Sequence, residues 1–157
     1  MGVSLPVLSY RGTGRRILPD WFHILQKANS VRQVALLLFP DFSNLCLANA
    51  VEPLRAANTL AKRKLYAWRY LGLGTDILMS SSGLPVQPEA ALSEAGRGDY
   101  LFVMPSYGFR AQATPDCARA LRAASRRFGT WGGLDTGRWL MAAAGLLDGR
   151  RAASHWG

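Results

Sequence analysis

The stretch that most constrains this chain runs from Phe128 to Leu147. Phe128-Gly129-Thr130-Trp131 reads as a short buried strand, and the apolar, alanine-rich segment Trp139 to Leu147 reads as a buried helix. Between them lies only Gly132-Gly133-Leu134-Asp135-Thr136-Gly137-Arg138, too short for anything but a sharp turn. A strand, a sharp turn and a helix present one side chain, here Asp135, at the carboxyl end of a parallel sheet and the positive end of a helix. Reactive or ligand-gripping groups are held at such points. Here an aspartate stands where hydrolases carry Ser or Cys.

The rest of the chain alternates strands and helices in the manner of an α/β fold with a mostly parallel sheet. Val34-Ala35-Leu36-Leu37-Leu38-Phe39 is a continuous apolar run, as in a strand buried on both faces. Ser43 is the expected N-cap of a following helix, with Leu45, Ala48, Val51 and Leu54 at helical spacing. Pro53 is expected to kink that helix or end its first half, and the helix to stop by Lys64. Trp68 to Leu73 is the next strand. Ile77-Leu78-Met79 and Leu84-Pro85-Val86 flank a serine run as a small hairpin, Glu89 to Ala95 is expected to be a short helix, and Tyr100 to Met104 is a strand. Pro105-Ser106-Tyr107-Gly108-Phe109-Arg110 then forms a loop at a strand's carboxyl end. Thr114 and Pro115 open another helix, with Leu121, Ala124 and Phe128 inward and Arg119, Arg122 and Arg126 outward. That arginine face is either a solvated surface or a nucleic-acid or partner patch. Ala152-Ala153-Ser154-His155-Trp156 begins like a further strand.

With 157 residues, 49% of them hydrophobic, the chain makes one domain with a sizeable core. Residues 1 to 30 differ from the rest: basic, punctuated by Pro6, Gly12, Gly14 and Pro19, with helix potential only from Asp20 to Ala28. The boundaries are therefore a basic extension over 1–30 and the α/β domain over 31–157. A net charge of +9 invites a nucleic-acid reading, but Lys and Arg are spread over several segments and no helix-turn-helix with a basic recognition helix is present. Cys46 and Cys117 are the only cysteines, with no spacing suited to a disulfide framework or a zinc site. Together with the lack of a secretory leader and of an apolar run of roughly 18 residues, this reads as a soluble cytoplasmic protein without a metal or cofactor.

One ordered set of segments resembles a known family. Ala50-Val51-Glu52-Pro53-Leu54-Arg55-Ala56-Ala57-Asn58, Tyr66-Ala67-Trp68-Arg69, Ser80-Ser81-Ser82-Gly83, Asp135-Thr136-Gly137, Ala144 to Ala152 and His155-Trp156 are similar to the GlxA-type branch of AraC/XylS transcriptional regulators. The resemblance covers roughly Val31 to Trp156. It implies a flavodoxin-like three-layer sandwich of the DJ-one/PfpI, class I glutamine amidotransferase-like type, here with its C-terminal part missing, followed in the family by a pair of helix-turn-helix motifs. It further implies a homodimer that senses a small-molecule inducer, an amine or amino-acid derivative such as glycine betaine, carnitine or arginine, and that reaches DNA only through a C-terminal domain absent from this chain.

Two departures bear on chemistry. Hydrolytic members of the superfamily place a nucleophilic Cys where Asp135 stands, and they carry a Pro-Gly-Gly loop where this chain has Pro105-Ser106-Tyr107-Gly108. A carboxylate attacks only activated centres, and no general base or acid is adjacent in sequence. No catalytic residue is therefore assigned; the rival reading is a small PfpI-like hydrolase or amidase acting through Cys117 or Asp135. The expected ligand site comprises Asp135 as counter-charge to a cation, Thr136 beside it, and the aromatic groups Tyr107, Phe109 and Trp139. Asp135 reads equally well as a plain helix cap.

Overall fold

The structure is a computed structural model and describes residues 30–152. The expected helix over Asp20–Ala28 and the strand-like segment ending at His155-Trp156 lie outside the described residues. Five strands form one sheet: β1 (Arg32–Leu38), β2 (Tyr66–Gly72), β5 (Ala90–Ala91), β6 (Gly98–Met104) and β7 (Phe128–Gly133), in the order β5-β2-β1-β6-β7. Every pairing in it is parallel, with Leu36 opposite Tyr70 on one side and Phe102 on the other. β3 (Leu78–Met79) and β4 (Pro85–Val86) form the small antiparallel hairpin. Among the described residues three α-helices, α1 (Asn44–Ala61), α2 (Pro115–Ser125) and α3 (Gly137–Ala143), cover the sheet. The parallel sheet is the one anticipated from the alternation of elements, and the layering is the flavodoxin-like one that the family resemblance implies.

β1 shows why the sheet must be covered on both faces. Ala35 and Leu37 pack with Leu101, Val103, Leu121 and Leu140 in one core, while Val34, Leu36 and Leu38 pack with α1 and Met104 in another. A strand's side chains alternate between faces, so a continuous apolar run is stable only with a layer on each side. The α1 layer is the thinner: no residue of that helix is fully buried. Beneath it the sheet is aromatic, with the Tyr100 and Phe102 rings stacked at 6.4 Å.

Several expectations need correction. Glu89–Ala95 is not a helix: Ala90 and Ala91 pair with Leu71 and Gly72, and only Leu92–Glu94 makes a 3-10 turn. The Glu89 amide donates to the Tyr70 carbonyl and its side chain accepts from the Tyr70 amide, which draws this segment onto the sheet edge. Ser43 does cap α1, accepting from the Cys46 amide, but the inner face is Cys46, Leu47, Ala50, Val51 and Leu54; Leu45 and Ala48 point outward. α1 also runs through Pro53 without ending. Pro53 and Asn49 both lie on the exposed side of the helix, where water can take up the carbonyl that loses its donor.

α3 begins at Gly137 and is shorter than the expected Trp139–Leu147. Gly145 adopts φ +70°, its amide bonds to the Ala142 carbonyl and the Leu146 amide to that of Met141, the pattern of a Schellman stop. Phe128 is buried as expected, as the first residue of β7 rather than as part of α2. Among the described residues no helix is long and apolar enough to cross a membrane.

Two glycines carry the strand-to-helix turn. A Cβ on Gly133 would overlap the backbone of Gly137 and Arg138, and one on Gly137 would overlap the Val103 carbonyl. Gly133→Ala and Gly137→Ala should each cost on the order of 3 kcal/mol or more, because backbone rather than a flexible side chain must yield. Gly74→Ala, with open space around it and no left-handed φ, should fall within about 0.5 kcal/mol of the parent. Urea melts of the three variants check this ranking.

Candidate functional site

The site is built where β7 turns into α3, at the carboxyl end of the sheet. The Leu134 amide donates to the Val103 carbonyl at 3.0 Å, so the chain leaving β7 stays stitched to β6 until the turn. Asp135 follows at φ +53°, in the left-handed region that side chains other than glycine seldom occupy. Asp tolerates that region better than most residues, since its short polar side chain bonds locally. The Gly137 amide then donates to the Leu134 carbonyl at 2.8 Å and closes the turn.

Asp135 does not cap α3. The N-cap is Thr136, and no side-chain bond caps the helix. The Asp135 carboxylate instead accepts a 2.6 Å bond from the Ser106 hydroxyl, through Oδ2, and Thr136 Oγ1 donates to the Ser106 carbonyl at 3.1 Å. Ser106, buried in the loop after β6, is thus held twice by the turn opposite. Arg138 donates to the Asp135 carbonyl at 2.8 Å. The carboxylate is exposed and held in place by a neutral donor.

Two cavities meet at Asp135. One, of about 580 Å³, lies between the start of α1 and the sheet; its walls are Cys46, Ala50, Leu54, Phe102 and Leu134, with Asp135 at one end. The other, of about 770 Å³, follows the open edge of β7 past Trp131 to Arg138 and Arg150. The first is lined chiefly by apolar side chains, so the charge of Asp135 stands beside an apolar wall.

The expected aromatic groups are arranged differently from Asp135 and Thr136. Phe109 and Trp139 pack edge to face at 5.2 Å, and the Arg110 guanidinium lies 4.7 Å over the Phe109 ring. Tyr107 is 66% exposed. None of the three lines either cavity that Asp135 lines. Sequence reasoning also passed over three residues that do belong here: Ser106, Cys46 and Phe102. Ser106 stands two residues past the end of β6, and Cys46 sits one turn after the Ser43 cap, so both had a signal: each lies in a segment that follows the carboxyl end of a parallel strand.

Neither cysteine is activated. Burial, and secondarily the charge of Asp135, push the Cys46 thiol above its ordinary value. Burial alone does the same to Cys117, which lies in the core on the α2 and α3 side. No histidine stands among the described residues. What remains is a carboxylate held in place beside an apolar hollow.

Comparison with known proteins follows the same line. No family model matches the chain. The HTH-type transcriptional regulator CdhR of Pseudomonas aeruginosa is 42% identical over 120 residues, covering 76% of this chain and 35% of that protein. The HTH-type transcriptional regulator GlxA of Rhizobium meliloti is 37% identical over 130 residues, 82% of this chain and 40% of that protein. Among solved structures, a ThiJ/PfpI family protein from Pseudomonas syringae superposes with a TM-score of 0.61 at 20% identity, over 85% of this chain and 55% of its own. An AraC family transcriptional regulator from Pseudomonas putida gives 0.59 at 23%, over 76% and 64%. Over most of its length the chain is therefore a homologue of HTH-type transcriptional regulators, with the ThiJ/PfpI fold. It spans 35–40% of the length of these two curated relatives.

The proximity of Asp135 to Cys46 has a measurable consequence. A raised thiol pKa leaves less thiolate at a given pH, so iodoacetamide should label Cys46 more slowly than a free cysteine at pH 8. Asp135→Asn removes the like charge that opposes ionisation while leaving the burial, so labelling should speed up but stay slower than that of a free cysteine. Peptide mass spectrometry assigns the label; an unchanged rate would mean that the carboxylate does not act on the thiol.

Proposed function

We propose that this chain is the ligand-sensing part of a transcriptional regulator that reaches its promoter through a DNA-binding part outside the chain. In this reading residues 31–157 are the sensor domain, residues 1–30 an extension, and the regulator works as a cytoplasmic homodimer. The observation that carries it is the turn itself. It keeps the strained, close-packed backbone that displays a nucleophile in hydrolases, yet shows a carboxylate held by Ser106, with both thiols pushed towards their protonated form. That the curated relatives are named as transcriptional regulators supports the same conclusion against a hydrolase.

The inducer in this proposal is a small amine or amino-acid derivative. Asp135 supplies the counter-charge, Thr136 and Ser106 hold it in place, and Phe102 and Leu54 face the apolar part of the ligand. Tyr107 is free to fold over a bound molecule, while the Phe109–Trp139 pair braces the loop against α3. The signal would then pass through α3 and the loop after β6, the two segments that Ser106, Asp135 and Thr136 tie together.

Calorimetric titration of quaternary and primary amines, with a neutral tert-butyl analogue beside them, tests the assignment. At least one amine should bind, and Asp135→Asn should weaken it tenfold or more, about 1.4 kcal/mol, without moving the neutral analogue. Equal affinity in Asp135→Asn, or no amine binding in the parent, refutes the receptor role of this residue.

A further inference from the structure

In an all-parallel sheet, every loop that enters a strand lies at the same end. The candidate ligand site occupies the carboxyl end; the opposite, amino end is strongly basic. Arg32 opens β1, Lys62, Arg63 and Lys64 precede β2, Arg97 precedes β6, and Arg126 and Arg127 precede β7. Two acidic residues stand among them: Asp99, ion-paired with Arg32 at 3.1 Å, and Glu94 on the adjoining 3-10 turn. Elsewhere Arg55, Arg69 and Arg119 each sit on a carboxylate. At this end Lys62, Arg63, Lys64, Arg97 and Arg126 have no carboxylate in ion-pair range among the described residues.

These groups are displayed on ordered backbone. Asn58 Oδ1 accepts from the amides of Leu65 and Tyr66, which fixes the loop after Lys64. Arg127 donates to the carbonyls of Leu92 and Ser93 at 2.7 and 2.8 Å, and its buried Nε has no acceptor. Carbonyls orient that guanidinium without neutralising it. A hollow of about 440 Å³ opens between it, Arg97, Arg126 and Asp99.

We propose that the amino end of the sheet is a phosphate-binding surface that lies against the backbone of duplex DNA and reads no bases. The charges enter at four adjacent strands, β2, β1, β6 and β7, and so spread over about 14 Å at the usual strand spacing of about 4.8 Å. That span is long enough to meet more than one phosphate of a single strand. A row of that length suits a polyanion better than one small anion, and arginine forks suit phosphate oxygens. Of the large exposed apolar side chains only Leu60 lies near these charges, two residues before Lys62, so the surface offers little apolar area to a protein partner. This surface is independent of the ligand reading above; it adds salt-sensitive affinity and leaves sequence choice to another part of the regulator.

The test is anisotropy of a labelled random-sequence duplex with the full 157-residue chain, titrated across salt. Arg97→Gln with Arg126→Gln should lower the slope of log K against log salt by about 1.8, since each phosphate contact contributes about 0.9. Arg110→Gln with Arg119→Gln removes the same charge near the carboxyl end and should leave that slope unchanged. Both doubles should melt with the parent, because all four side chains are exposed. No binding by the parent, equal loss in the two doubles, or no loss in the first overturns the proposal. So does equal competition by poly-glutamate, which would reassign the surface to an acidic protein.

Discussion

The close approach of α3 to β6 is the contact on which the rest of this structure depends. Gly137 lies so near the Val103 carbonyl that no side chain fits between them, and Gly133 leaves equally little room before the start of the helix. With both glycines in place, the backbone between them has few ways to reverse, and the residue at the apex is left in the left-handed region. The cost of that conformation, about 1–3 kcal/mol, persists only because the packing of Leu140 and Met141 on the core over-determines it. Display of Asp135 is thus a product of helix packing, and the Ser106 bond then sets where its carboxylate points.

Parallel topology decides how charge is distributed over the molecule. All strand exits lie at one end and all strand entries at the other, so residues far apart in sequence meet as neighbours. Asp135, Ser106 and Cys46 come from three different strand-to-helix connections and share one end. Arg97, Arg126 and Arg127 come from connections that enter strands and line one hollow at the other end. An acidic centre beside an apolar hollow and a basic surface on ordered loops are consequently held apart by the length of the strands, each built by the same rule.

Some of the site was legible in the sequence. Asp135 and Thr136 stand at a strand-turn-helix junction that glycine spacing and apolar runs announce without any tertiary contact. The aromatic partners were harder to place, because spacing says which loop a side chain is on and not which way it turns. Phe109 spends its ring on Trp139 and Arg110, a packing choice that no local pattern reports. The face of α1 was misjudged for a related reason: Leu45 and Leu47 both fit a helical stripe, and only the sheet beneath selects between them.

By itself the sequence determined the alternation of strands and helices, the double-faced burial of β1, the Ser43 and Thr114 caps and the position of the Asp135 turn, because each follows from local sterics or from periodicity within a few residues. Tertiary structure alone decided that Ala90 and Ala91 join the sheet, that Pro53 stays inside a helix, that Ser106 rather than a cap holds Asp135, and that scattered arginines gather at one end. Those outcomes depend on partners far apart in the chain, as Ser106 and Asp135 are, or on the presence of water at one face. Neither is encoded in the spacing of neighbouring residues.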